Sequence, residues 1–357
     1  MTTPPDVQAR PLLADTRETN SLDDAWYAIA LSEEIGLTPV RRWLYGQAIA
    51  VYRGQGGSVA ALDDACPHRR APLSCGQVFG DEIRCPYHGL RFDGTGHCTA
   101  IPNQKEIPPT LAVRSFPVAE RYGIVWLWGG VKDDADPAKI VPWSWFDDTE
   151  YLALAYEIVI EAPLEMVLDN LMDLSHVYFV HRFAAELPVH DAGPMKVQSS
   201  GKGISYSRAM TGARYLSDID AGEEVSTELF MEVSGEYLPP NIVVTAGLTR
   251  NASTGTLHTG PHRRLLHALT PETPTRTRYI ALRNWNTNHR PDEIAASRRE
   301  DSEAIAEDKR IIELTYQNML RDAPGSTLRL LMIDEAAVKA SRIYRTYRRT
   351  ADSPVGT

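Results

Sequence analysis

The stretch Cys66–His88, CPHRRAPLSCGQVFGDEIRCPYH, decides how this chain is read. It holds two cysteine–histidine pairs, Cys66-Pro-His68 and Cys85-Pro-Tyr-His88, with sixteen residues between them. Thiolates are soft ligands and imidazole is borderline, so the set suits zinc or an iron–sulfur cluster. A structural zinc site usually draws on C-x(2–4)-C and H-x(3–5)-H spacings, with four side chains converging on one ion. Here each half supplies one Cys and one His, and the first pair is a single residue apart. That suits a [2Fe–2S] cluster in which one iron takes both thiolates and the other both imidazoles, an arrangement that raises the reduction potential. The prolines that follow Cys66 and Cys85 fix φ and remove an N–H donor, as expected of rigid loops around a cluster. A zinc knuckle, or two unconnected loops, is the alternative.

Around this stretch, the composition sets bounds. A chain of 357 residues is expected to form about two domains with a substantial core. Its hydrophobic content of 43% and charged content of 24% are those of an ordinary soluble globular protein. The formal net charge of −10 argues against a nucleic-acid partner, because phosphate neutralisation needs a basic face. Two of the four cysteines are accounted for above; Cys75 and Cys98 are expected to be reduced, buried thiols rather than a disulfide. The N-terminal residues carry no apolar run of signal-peptide length, and no stretch approaches the roughly 20 apolar residues that span a bilayer. A cytoplasmic protein without a membrane partner is expected.

Along the chain, residues 1–21 read as a flexible arm. From Trp26 the segments are short, apolar and bounded by turns: Leu44–Tyr52, Ser58–Leu62, Gly89–Phe92 and the buried run Gly123–Trp128. Such strands predict an antiparallel sheet domain that carries the cluster loops. The turn-rich Lys132–Pro137 marks the boundary, giving domains 22–132 and 133–357. In the second, a helix is predicted over Pro163–Val180. Strand-like segments follow at Gly203–Arg208, Val225–Val233, Asn241–Leu248, Arg264–Thr270 and Arg278–Asn284, consistent with one large antiparallel sheet. Pro291 opens a long helix to about Leu320, and Asp334–Tyr347 is a shorter one. The fold class is α+β.

The Pro163–Val180 helix contains Asn170-x-x-Asp173-x-x-His176-x-x-x-x-His181. Burying such polar groups unpaired costs roughly 1–3 kcal/mol each, so something must satisfy them. Two histidines with an Asp three residues before the first point to a metal. At 100° per residue His176 and His181 lie about 140° apart, too far round to share an ion. The helix is therefore expected to distort or end between them, near Tyr178. A facial triad for iron(II) needs a carboxylate as third ligand. Asp308 fits, because Ile305, Asp308, Ile312, Tyr316 and Met319 form an apolar stripe on the long helix, whereas Glu303, Glu307 and Glu313 fall off it. A buried salt bridge to an arginine is the alternative. Asp173 is placed to accept the ring N–H that His176 does not offer the metal.

Together these residues resemble the large subunit of a Rieske non-heme iron aromatic-ring oxygenase. The resemblance spans nearly the whole chain. Arg264-Leu-Leu-His-Ala-Leu-Thr-Pro-Glu-Thr273 and Glu307-Asp-Lys309 resemble the branch containing vanillate O-demethylase, dicamba monooxygenase and toluenesulfonate methyl-monooxygenase. It implies a Rieske sheet domain followed by a helix-grip catalytic domain. Cys66, His68, Cys85 and His88 would hold the cluster, and His176, His181 and Asp308 the catalytic iron, with Asn170 behind them. The resemblance also implies a head-to-tail homotrimer in which Asp173 bridges His176 to His88 of the neighbouring subunit. His267 becomes the candidate contact to substrate; Arg299 is a second, but it sits in a charged run. The chain has no dinucleotide fingerprint and no plant-type ferredoxin pattern, so electrons must come from a separate NAD(P)H-dependent reductase, expected to carry flavin and its own iron–sulfur centre. The expected activity is that of a terminal monooxygenase using O2 to hydroxylate a methoxy or methyl substituent of a small aromatic substrate. A ring-dihydroxylating or desaturating oxygenase, or a Rieske electron carrier, are the alternatives.

Overall fold

Three small antiparallel sheets build the first half, and one large sheet with helices on one face builds the second. The computed structural model describes residues 10–11, 24–181, 194–200, 203–211, 229–251, 263–285, 291–323 and 327–351. The strand Ile124–Trp128 shows why the run IVWLW has no polar position. Ile124, Trp126 and Trp128 face the large sheet, against Ile242, Leu266, Ala268, Ile280 and Leu282. Val125 and Leu127 face the opposite way, into a core with Tyr27, Ile29 and Val51. A strand buried on both faces reads as a continuous apolar run rather than an alternating one.

The predicted strand Leu44–Tyr52 is in fact a hairpin, Val40–Leu44 paired with Gln47–Arg53. Tyr45 and Gly46 turn the chain with φ of 48° and 80°. Positive φ at both central residues gives the turn that matches strand twist, and a tyrosine is an unusual occupant of the first position. Its backbone N–H donates to Pro271 O at 2.7 Å and that of Gly46 to Glu272 O at 2.8 Å, so contacts from the second half hold the turn. Asn241 Nδ2 to Trp26 O at 3.0 Å and Thr270 Oγ1 to Ala28 O at 2.6 Å join the halves further.

The large sheet has seven strands in the order Leu152–Ile160, Arg276–Trp285, Arg263–Thr273, Ile242–Asn251, Leu229–Leu238, Gly203–Thr211 and Lys196–Ser200, all antiparallel. Residues 225–228 of the strand expected from Val225 lie outside the described residues. Leu152–Ile160, which the sequence pattern does not single out, pairs along its whole length with Arg276–Trp285. Among the described residues the α-helices of this half are α1 (Leu164–Leu171), the one-turn α2 (Val177–Val180), α3 (Pro291–Met319) and α4 (Glu335–Ala351). Alternate sheet residues (Ile204, Tyr206, Tyr237, Val243, Leu269, Tyr279, Ala281) form a floor against α1, α3 and α4. Of the expected N-terminal arm, Arg10–Pro11 is described and pairs with Thr327–Leu328.

The predicted Pro163–Val180 helix breaks earlier than expected. α1 stops at Leu171, and α2 follows a break at 172–176. Asp173 causes it: its Oδ1 accepts from Ser175 N at 2.7 Å and Ser175 Oγ at 2.6 Å, a side-chain turn that competes with the helix. Tyr206 on the sheet donates to Leu171 O at 2.7 Å and satisfies a carbonyl the broken helix frees.

Candidate metal centres

Two turns of the same form carry the four cluster residues. Arg70 N donates to Cys66 O at 2.7 Å and Cys66 N to Ala71 O at 2.9 Å; Gly89 N donates to Cys85 O at 3.2 Å and Cys85 N to Leu90 O at 2.8 Å. Each turn closes on a residue with positive φ, Arg70 at 58° and Gly89 at 74°. A side chain at Gly89 would also press Pro102, 3.1 Å from the added carbon. Asp64 braces the first turn by accepting from Ser74 N and Oγ at 2.6 Å and from Arg41 Nε at 2.5 Å.

Cys66 and Cys85 are 1% and 2% exposed. Burial, with the adjacent Cys85 adding to it, pushes the Cys66 thiol up to about 11. A thiol placed as Cys66 is ionises only against cationic charge, which is what an iron pair supplies. The His68 and His88 rings stand 4.5 Å apart at the surface, with Tyr87 against His88. The donor chemistry therefore fits a [2Fe–2S] cluster sunk on its thiolate side and open on its imidazole side. Replacing His68 by Cys should lower the cluster potential towards the all-thiolate range of roughly −400 mV, read by redox titration of the visible spectrum; an unchanged potential would remove His68 from the ligand set. Cys75 and Cys98 are both free, as expected, but neither is buried: Cys75 is exposed and Cys98 is intermediate.

The second centre lies where α2 meets α3. His176 and His181 cap the two ends of α2, and Asp308 comes from the C-terminal half of α3. One ligand atom from each falls within 4.8 Å of the others. His176 Nε2 is 3.4 Å from Asp308 Oδ1 and His181 Nε2 is 3.5 Å from Asp308 Oδ2. Two imidazole nitrogens and a carboxylate facing one point are the donor set of a mononuclear iron site with open positions. Burial lowers the pKa of both histidines, which keeps them neutral and able to donate. Burial also raises the Asp308 carboxyl, a strain that a bound divalent cation relieves. Asn170 Nδ2 donates to Asp308 Oδ1 at 3.2 Å.

Asp173 acts differently from the expectation. Its carboxylate is engaged by Ser175, and its backbone carbonyl meets His176 Nδ1 at 2.5 Å. Because the break precedes His176, the carbonyl is free of helical bonding and turns to the ring. Glu307, which the apolar stripe leaves aside, contacts His181 Nδ1 through Oε2 at 3.2 Å. Its adjacency to Asp308 is the only signal the sequence offers. His267 is 5% exposed, with Nε2 at 2.9 Å from Thr245 Oγ1 and Nδ1 at 2.6 Å from the Tyr279 hydroxyl. Burial pushes its pKa down to about 3. Burial, with the Asp308 carboxylate adding to it, raises the pKa of its partner Tyr279. Arg299 is exposed on α3.

A buried-thiolate, exposed-imidazole cluster site and a two-histidine, one-carboxylate site in one chain define the class of Rieske non-heme iron oxygenases. Residues 25–117 match the Rieske [2Fe–2S] domain, and residues 160–349 match the vanillate O-demethylase oxygenase C-terminal domain. The chain is 32% identical over 331 residues to the oxygenase component of dicamba O-demethylase from Stenotrophomonas maltophilia, covering 89% of this chain and 95% of that one. It is 29% identical over 331 residues to a vanillate O-demethylase oxygenase subunit from Pseudomonas sp. (strain HR199 / DSM 7063), covering 90% and 93%. The crystal structure of dicamba monooxygenase bound to 3,6-dichlorosalicylic acid superposes with a TM-score of 0.86 at 30% identity, over 93% of this chain and 98% of that one. The chain belongs to this family of Rieske monooxygenase oxygenase components, and its cofactors are a [2Fe–2S] cluster and a mononuclear non-heme iron.

Proposed function

We propose that the protein O-demethylates a small methoxylated aromatic compound. The observation that carries this reading is the convergence of His176, His181 and Asp308 on one point. Relatives over nearly the full length act as dicamba and vanillate O-demethylases. In this reading His176, His181 and Asp308 hold the iron, and Cys66, His68, Cys85 and His88 hold the cluster. Iron bound there supplies O2 activation and insertion of one oxygen atom into a methyl C–H bond; the hydroxylated methoxy group then collapses to a phenol and formaldehyde. The chain's share is to orient the neutral imidazoles, keep water from the metal site and place the ring against the His267 side. His267, neutral and paired to two hydroxyls, would meet a polar ring substituent by exchanging Thr245 for it.

Electrons would come from a separate reductase, one with flavin and an iron–sulfur centre in the fullest form of the proposal; the relatives' description as oxygenase components supports the separate partner. The exposed His68 and His88 rings support docking of one copy's cluster on the next copy's iron chamber, closing a homotrimer with Asp173 at the crossing point. Among the described residues no helix is long and apolar enough to cross a membrane, which accords with a cytoplasmic site of action.

The test is reconstitution with a suitable reductase and a panel of methoxybenzoates, following NADH-dependent formaldehyde. Formaldehyde formed in step with a phenol is the expected result. A cis-diol, or substrate-independent electron transfer to an acceptor protein alone, would replace this reading with one of the two alternatives.

A further inference from the structure

We infer that Glu307 is a positioning residue of the iron centre, holding His181 in the tautomer that offers Nε2 to the metal. The inference rests on the reading of His181 as an iron ligand. A neutral imidazole carries its proton on one nitrogen, and the other nitrogen donates its lone pair to the metal. His181 Nε2 faces Asp308 Oδ2 at 3.5 Å, so Nδ1 must carry the proton and needs an acceptor. Glu307 Oε2 lies 3.2 Å from that nitrogen. The ring is 6% exposed, so water is a poor substitute. Glu307 cannot be a ligand in this arrangement, because it sits on the side of the ring opposite Nε2.

His176 is held in the same tautomer by other means, with Nδ1 on the Asp173 carbonyl at 2.5 Å. One ligand thus leans on a neutral carbonyl and the other on a carboxylate. A carboxylate partner raises the donor strength of a metal-bound imidazole and fixes its plane. The run Glu307-Asp308-Lys309 then has three separate jobs, since successive residues on a helix point about 100° apart. Glu307 orients His181 and Asp308 faces the metal. Lys309 donates to Val159 O at 2.6 Å and pairs with Glu313, pinning α3 to the strand Leu152–Ile160.

The experiment measures iron(II) affinity by anaerobic titration of full-length protein depleted of mononuclear iron but retaining its cluster. Wild type is compared with Glu307→Ala, Glu307→Gln and His181→Ala. Glu307→Ala should weaken binding about 10–100-fold. Glu307→Gln, whose amide oxygen still accepts from Nδ1, should lose less. At saturating iron the ferrous–nitrosyl EPR signal of Glu307→Ala should change shape, because the His181 ring is no longer fixed, while thermal unfolding of the iron-depleted protein stays as in wild type. Unchanged affinity in Glu307→Ala with lost affinity in His181→Ala overturns the positioning role. So does a Glu307→Ala loss that comes with a matching fall in unfolding temperature and an unaltered nitrosyl signal. Unchanged affinity in His181→Ala instead overturns the reading of the metal site itself.

Discussion

Asp308→Ala is expected to abolish oxygenation while leaving the Rieske spectrum intact. Asp308 would contribute the negative charge of the proposed triad, and the His176 and His181 imidazoles approach its two oxygens, at 3.4 and 3.5 Å. Removing it leaves two neutral donors to hold a divalent cation. Asn170 Nδ2 also loses its acceptor. A metal ion in such a site is worth several kcal/mol of activation, so turnover should fall by about a thousandfold or more. Iron analysis should show loss of the mononuclear iron alone. If the variant keeps that iron in full, another carboxylate is the ligand. Glu307 would then be the first to examine, and the tautomer assigned to His181 would be reversed.

Asp173→Asn should be nearly as damaging to turnover, but for a different reason. The local geometry makes this substitution a clean one. The bonds from Ser175 N and Oγ go to one carboxylate oxygen, which an amide oxygen can replace, and His176 is met by the backbone rather than the side chain. Both metal sites should therefore fill, and the break that sets α2 should survive. What is lost is the charge beside His176, where the cluster of a neighbouring copy is proposed to deliver its electron through the partner subunit's His88. Turnover should fall more than about 100-fold, beyond what a mere orienting partner contributes. Single turnover of the reduced protein with O2 and substrate, followed at cluster wavelengths, reads the step directly. Cluster reoxidation at the wild-type rate would end the bridging role and leave Asp173 as the residue that breaks the helix.

Residue type and spacing make some of these roles legible in the sequence and leave others hidden. The cluster set is legible because few chemistries need one Cys and one His from each of two loops. Asp308 is legible because a carboxylate on an apolar stripe needs a cation. Asp173 is only half legible: its spacing from His176 is right, but whether the carboxylate or the carbonyl reaches the ring depends on Ser175, two residues away. The early helix break follows from the same side-chain turn, which a periodicity count cannot see. Tyr45 is illegible in another way, since its left-handed backbone is held by Pro271 and Glu272, more than two hundred residues along the chain. Glu307 lies off the helical stripe that marks core residues, and only the position of His181 gives it a role.

One chain is expected to carry both a cluster and a separate iron. Iron and acid-labile sulfide analysis of the purified, anaerobically reconstituted protein tests it most directly. A [2Fe–2S] cluster held by Cys66, His68, Cys85 and His88 and a single iron held by His176, His181 and Asp308 predict three irons and two sulfides per chain. Two irons with two sulfides, under conditions that load the second site of a known relative, would contradict it and leave an electron carrier.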